Sequence, residues 1–403
     1  MDLKTDKTMN LGIFDIKDLC TGCGACVSSC PKHALSLKYD DEGFYFPELD
    51  ADKCIGCKLC EKACHIINAE YKQEEPSLKY KVYMLKSKNL DLVKKSSSGG
   101  VFSLLADEIL KMGGAVYGAR YNYSKERLEQ CSTDHCSMEE LRKSKYIESY
   151  TGSIFNDVFQ DLKNNRQVLY CGTPCQVEGL KHFLTIKNAD TENLLLVRFI
   201  CHGVPSNKFF TEYKHHEEKK YHSQMVSFDF RPKIRGWRNS DWQMRFKNGK
   251  TVTGPSSYFY YYNNYYNNCC STLRRCCYYC TRVFNETTDF TIADFWGIGR
   301  YLPDNHDNEG VSAVFVHSPK AEHYLRAISD KCFCEEIPKT AIDYIYKEAT
   351  NRECFIDKRN IVMEEVGKKG YMPVVIRKLR LKILSNKVKD KVYRIYKIWR
   401  RRK

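Results

Sequence analysis

Between residues 80 and 365 the apolar positions fall in short runs, separated by polar loops and by stretches of helical period. Residues 114–121 (GAVYGARY) read as a strand behind a helix over roughly 101–112. Residues 167–171 predict a second strand, then Gly-Thr-Pro, then a helix from about 175 to 185. A strongly apolar strand at 194–200 runs into Cys201-His-Gly-Val-Pro-Ser and a further helix, and 313–317 repeats the theme before Pro319. This alternation predicts an α/β domain with a largely parallel sheet and its ligand loops at the strand ends. Residues 226–231 and the Asn248-Gly249 turn predict an inserted β-hairpin. Nowhere does an apolar run approach the roughly 18 residues of a membrane-spanning helix.

The first seventy-five residues follow a different rule. Cys20-Thr-Gly-Cys23-Gly-Ala-Cys26-Val-Ser-Ser-Cys30-Pro31 returns as Cys54-Ile-Gly-Cys57-Lys-Leu-Cys60-Glu-Lys-Ala-Cys64, an internal repeat of C-x2-C-x2-C-x3-C. Zinc needs four ligands per site and has no use for a duplicated C-x2-C-x2-C triplet. The run resembles that of bacterial-type ferredoxins, in which three thiolates wrap one cubane and the fourth cysteine reaches the other. That resemblance implies one 4Fe-4S cluster on Cys20, Cys23, Cys26 and Cys64, and another on Cys54, Cys57, Cys60 and Cys30. Gly22, Gly24 and Gly56 allow close approach of backbone N–H groups to sulfur. His65 stands where the repeat normally has proline. Residues 1–75 are thus expected to form an α+β, ferredoxin-like two-cluster domain, with 71–79 (YKQEEPSLK) as a linker.

Further motifs follow in order: SSSGGVFS at 96–103, SKYIES at 144–149, YCGTPCQVEGL at 170–180, CHGVPS at 201–206, CCYYC at 276–280 and DFTIADFWG at 289–297. Together they resemble the beta subunit family of coenzyme F420 hydrogenase/dehydrogenase, for a domain over 76–365. The resemblance implies an iron–sulfur flavoprotein with FAD and additional 4Fe-4S clusters. Chemistry agrees: a cluster carries single electrons, most organic substrates change by two, and a flavin handles both. The expected function is an oxidoreductase relaying electrons between clusters, flavin and a small-molecule substrate; the alternative is an electron-transfer subunit that hands them to a partner enzyme. Bacterial chains resembling this one accompany surface-polysaccharide assembly enzymes.

Ser97, Ser98, Gly99 and Gly100 precede a helix and are the candidate phosphate cradle, the plainer reading being a helix cap. Lys145, Tyr146, Thr173 and Gln176 complete the cofactor candidates. Cys175, Cys201, Cys277 and Cys280 lie on loops that converge if their strands are neighbours, giving four thiolates for a third cluster. Cys276 and Cys270 are adjacent alternatives, and a zinc ribbon using Cys269 or Cys270 competes with this reading. Cys131, Cys136, Cys332, Cys334 and Cys354 read as ordinary thiols. Asp294 matches a motif position, and the tyrosine-rich stretch 258–268 reads as an aromatic helix.

Composition changes the picture in two respects. With 21 cysteines and no signal-peptide core at MDLKTDKTMN, the expected location is the cytoplasm, with cysteines serving metal or catalysis. The net charge of +15 is unevenly spread: residues 1–75 carry 9 Lys/Arg and 14 Asp/Glu, residues 368–403 carry 15 Lys/Arg and one Asp. In the tail, taken as 366–403, Leu381, Leu384, Val388, Val392, Ile395 and Trp399 form one helical stripe. Such a basic amphipathic helix is expected to lie on an anionic membrane surface, peripheral on the inner face; docking on the core is the alternative. A basic tail alone cannot read nucleic-acid sequence. The remaining expected partner is a redox protein such as a soluble ferredoxin.

Overall fold

The computed structural model describes residues 12–68, 80–239, 241–254, 271–280, 288–300, 308–342 and 355–378. The 71–79 linker, the 258–268 stretch, Cys269, Cys270, Cys354 and the six stripe residues of the tail lie outside the described residues.

The N-terminal module is built twice over. Each cysteine triplet runs into one short helix, Ala25–Ser29 or Leu59–Ala63, entered through a left-handed residue: Gly24 at φ 79° and Lys58 at φ 59°. Cys30 and Cys64 end the two helices with identical backbone angles, φ −77° and ψ 110°. Between the halves, β1 (Leu35–Tyr39) and β2 (Tyr45–Leu49) form an antiparallel hairpin.

The core opens with β3 (Lys81–Ser87), β4 (Ala115–Asn122), β5 (Arg127–Ser132), β6 (Val168–Gly172) and β7 (Leu194–Phe199). Next, β8 (Met225–Asp229), β9 (Trp242–Phe246) and β10 (Thr251–Gly254) make a small antiparallel sheet. The Asn248-Gly249 turn joins its last two strands, so the predicted insertion has three strands. The chain then returns with β11 (Phe290–Asp294), β12 (Ser312–Val316) and β13 (Cys332–Ile337) to complete an eight-stranded sheet, order β13-β3-β12-β11-β7-β6-β4-β5.

The expectation of a largely parallel sheet is corrected here. Parallel pairs join only β4, β6, β7 and β11; β5, β12, β3 and β13 are added through antiparallel pairs, although β3 points the same way as the parallel four. The 313–317 run is as apolar as a parallel strand because it is buried on both faces, and burial does not encode direction. In the centre, period-two alternation sorts side chains onto two covered faces. Val168, Tyr170, Leu194 and Leu196 pack under the helices Ile154–Lys163 and Pro174–Ile186. Leu169, Leu195 and Val197 pack under Val101–Lys111 and Pro319–Ala327.

Ala25 and Ala63, one from each module helix, belong to the first of these cores. The module is therefore docked on the sheet's helical layer. A second core joins Phe44 of the module, the helix Asn207–Tyr221, the small sheet and the C-terminal segment. There Tyr371, Met372, Val374 and Val375, the start of the predicted tail, are buried. Tyr371 donates to the Glu42 carbonyl at 2.7 Å, and Arg359, on the helix Ile356–Lys369, ion-pairs with Glu42. No helix among the described residues is long and apolar enough to cross a membrane.

Candidate iron–sulfur site

The two halves of the cysteine repeat meet different surroundings. Cys20, Cys23, Cys26 and Cys64 line one cavity with Gly22 and Gly24, walled by Ile13, Ile16, Leu37 and Pro47. Burial pushes the Cys23 and Cys26 thiols well up, and neighbouring thiols push in the same direction. Metal coordination removes that proton, so four thiols in one dry cavity fit an iron–sulfur cube. Cys54 and Cys57 are exposed, Cys60 and Cys30 partly so. The Cys30 sulfur accepts the Ala34 N–H at 3.2 Å. These are the inner and outer sets.

The core grips the inner set closely. A Cβ on Gly24 would overlap Thr151 Oγ1, and one on Gly179 would lie 2.8 Å from Cys23 Sγ. His65, where proline was expected, brings its Nδ1 to 3.1 Å from a Glu178 carboxylate oxygen on the Pro174–Ile186 helix and its Nε2 to 3.1 Å from Thr21 Oγ1. The departure from the ferredoxin pattern is thus a docking contact. Arg274, 1% exposed, donates to the carbonyls of Cys20 (2.7 Å) and Tyr45 (2.9 Å) and to Glu148 Oε1 (2.5 Å). Its guanidinium lies 4.1 Å from the Phe46 ring centroid. Burial pushes the Glu148 carboxyl up to about 7 against the pull of Arg274 and the Tyr45 N–H. Sequence reasoning missed both Arg274 and Glu148; each is a single residue whose partners lie over a hundred positions away.

The second group of cysteines sits where β6 and β7 end. Thr173 caps the helix Pro174–Ile186 in a reciprocal box with Gln176, with proline at the first helical position. This fixes Cys175 on the first turn, its sulfur 3.1 Å from Thr173 Oγ1. The loop carrying Cys201 is tied to the one carrying Cys277: Arg274 N–H donates to the Val204 carbonyl at 2.8 Å, beside a Pro205–Leu273 bridge. Burial pushes the Cys201 thiol up, and the thiols acting on it in the same direction are Cys277, Cys175 and Cys280. Cys175, Cys277 and Cys280 thus all act on Cys201. Cys175 also acts on Cys23, so this group adjoins the inner set. Cys276 is buried next to Cys277 and stays within reach of the group.

The flavin candidates fare differently. Ser97 Oγ accepts the Ser144 N–H (2.7 Å), Ser98 Oγ donates to the Val311 carbonyl (2.7 Å), and Gly99 N–H donates to Ser312 Oγ (3.0 Å). Gly99 is packed so tightly that a Cβ would overlap the Leu85 carbonyl, while Gly100 turns into the helix at φ 93°. Thr173 and Gln176 are spent in their box, with Gln176 Nε2 also donating to Ser149 Oγ at 2.8 Å. Ser97, Ser98, Gly99, Thr173 and Gln176 therefore offer structure more than free donors.

Tyr146 stands in a charged aromatic cluster at the end of β11, while its neighbour Lys145 is bonded elsewhere. The Lys145 amine reaches the carbonyls of Leu141, Arg142 and Lys143, and burial lowers its pKa to about 8. Tyr146 Oη and Asp294 Oδ2 both accept from Arg231 (3.2 and 3.3 Å), and Asp294 Oδ1 accepts from Trp237 Nε1 at 2.9 Å. Arg231 covers Trp296, which stacks on Trp237 at 4.6 Å. The buried Arg231 Nε has no partner. An orphan guanidinium nitrogen against indole rings fits an anionic aromatic group such as a flavin nucleotide. Arg231, Trp237 and Trp296 were not singled out from sequence; only the DFWG motif pointed nearby.

A duplicated cysteine module docked on an α/β core with further convergent thiols defines an iron–sulfur redox protein. Residues 19–66 match the 4Fe-4S dicluster domain, and residues 165–342 match the C terminus of the coenzyme F420 hydrogenase/dehydrogenase beta subunit. The chain thus joins a region matching the 4Fe-4S dicluster domain to one similar to the C terminus of that beta subunit. It is 24% identical over 209 residues to one of the subunits of the F(420)H(2) dehydrogenase of Methanosarcina mazei, covering 48% of this chain and 58% of that one. It is 35% identical over 79 residues to an iron-sulfur subunit of the CoB–CoM heterodisulfide reductase of Methanocaldococcus jannaschii, covering 16% and 12% respectively. The chain thus spans little more than half of the first relative and a small part of the second. A chain in the structure of the F420-reducing [NiFe] hydrogenase complex from Methanosarcina barkeri aligns at TM-score 0.44 and 16% identity, over 71% of this chain and 91% of that one.

Proposed function

We propose that the chain is an iron–sulfur flavoprotein that carries electrons one at a time through the module to a two-electron site in the core. The observation supporting this is the succession of thiols: Cys54 and Cys57 at the surface, the inner four lining one cavity, and Cys175 acting on Cys23 from a third group. On this reading the outer set holds the cluster that meets a redox partner protein, the inner set holds the second, and Cys175, Cys201, Cys277 and Cys280 hold a third. FAD would be held by Arg231, Trp296 and Tyr146, where it would supply exchange between single electrons and electron pairs. Arg231, fixed by Asp294 and Tyr146, keeps a positive charge at this point, and the indole pair excludes water beside it.

The second reading, an electron-transfer subunit without its own substrate, draws on the internal bonding of Ser97, Ser98 and Gly99. One experiment separates the two. Anaerobically purified protein is assayed for iron, sulfide, zinc and acid-released flavin. About twelve irons and one flavin support the first reading; iron without flavin supports the second. Cys277→Ser should lower iron from about twelve to about eight per chain.

A further inference from the structure

We propose that Tyr170 and Thr151, both contributed by the core, donate hydroxyl hydrogen bonds to sulfur at the inner cluster and so raise its reduction potential. The inference rests on the cluster reading above and deepens it.

Tyr170 lies on β6, fully buried, and its hydroxyl has no hydrogen-bond partner. Its ring is held edge-on to Phe155 at 5.8 Å and belongs to the same apolar core as Ala25, with Cys23 packed against it. The ionisable groups acting on it are Cys171, Cys23 and Cys175. Thr151 is 3% exposed, and its Oγ1 likewise has no partner. That oxygen sits against Gly24, between Cys23 and Cys26, where any Cβ would overlap it.

Native proteins seldom leave a buried hydroxyl unbonded, because its desolvation is then uncompensated. Two such hydroxyls come from two different segments of the core: Thr151 lies against Gly24, and Tyr170 in the apolar core against which Cys23 packs. What they lack is an acceptor, and thiolate or sulfide sulfur is the acceptor a cluster brings. Donation to sulfur stabilises the more negative, reduced cluster, so the potential rises. The couple is one electron from an external reductant to the cluster, and both protons stay on oxygen. At the outer set, the space around Gly56, the counterpart of Gly22, is open to 4 Å.

The test uses the full chain, purified anaerobically as wild type, Tyr170→Phe and Thr151→Val. Potentials are read by dithionite titration monitored by EPR, with Cys54→Ser identifying the outer signal. The expected result is a lower inner midpoint in each variant and an unmoved outer one. Pulsed EPR of the wild type in D2O should show exchangeable deuterons coupled to the inner cluster, fewer in each variant. Iron-replete variants with an unmoved inner midpoint and unchanged deuteron coupling would overturn the inference. Absence of that coupling in the wild type would do so too, even where Tyr170→Phe fails to fold. Wild-type protein with no inner cluster would instead overturn the cluster reading itself.

Discussion

The two halves of the cysteine module share spacing and backbone but not surroundings. Gly22 and Gly56 adopt φ 67° and 68°, and Cys30 and Cys64 share the same angles. Yet one set is enclosed by the core while Cys54 and Cys57 face solvent. The positions where the repeat breaks report this difference. Gly24 faces Thr151 and admits no side chain, whereas its counterpart Lys58 is an exposed residue in the left-handed region. Pro31 in the first half becomes His65 in the second, which reaches Glu178. Repetition specifies the metal geometry, and its lapses specify the docking.

Changes that probe this contrast differ widely in expected effect, and the greatest is at Cys64, which belongs to the outer half in sequence but to the inner cavity in space. Cys64→Ser should abolish the inner EPR signal and about four irons while sparing the outer signal; loss of the outer signal instead would reverse the assignment. In native protein, a chelator such as bathophenanthroline should strip the outer iron about tenfold or more faster than the inner, since the inner site opens only on local unfolding. A single iron-release phase would remove the distinction. Gly24→Ala should destabilise the chain by about 3 kcal/mol, from left-handed strain plus overlap with Thr151, whereas Gly56→Ala should cost only about 1 kcal/mol. Urea midpoints measured anaerobically would compare them. Glu178→Gln should cost about 1–2 kcal/mol by weakening the buried pair with His65. Smallest, Lys58→Gly should stabilise by up to about 1 kcal/mol, because glycine accepts φ 59° without strain.

The same contrast marks what the sequence made legible. The cysteine repeat could be read residue by residue, because metal ligation imposes a fixed local spacing. Strands at 114–121, 167–171 and 194–200 were visible because an apolar run of that length bounded by turns has few alternatives. Strand direction was not: β12 and β6 look alike in composition, and only pairing partners distinguish them. The placement of Cys175 and Cys201 at neighbouring strand ends was legible from the apolar runs before them. Ser98 and Gly99 show the opposite case. A small-residue loop before a helix resembles a phosphate cradle, but here the glycine admits the Leu85 carbonyl and the serine binds Val311. Arg274 and Arg231 gave no local signal, and Glu148 only its place in the SKYIES motif, since most of their partners are remote in the chain.

The clamp on Glu42 has a bearing on how the protein is assembled. Arg359 and Tyr371 reach it across 317 and 329 positions. At the usual pace of synthesis, about 5–20 residues per second, the hairpin is made roughly 15–60 s before its clamp. Contacts of such sequence separation form late, after the loops between them have closed. For that interval the hairpin lacks its clamp, although Thr151 and the Pro174–Ile186 helix, which grip the inner cysteine loop, have already been made. The grip on the inner loop is thus complete in synthesis well before the clamp on the hairpin, and the last helices close the module from its far side.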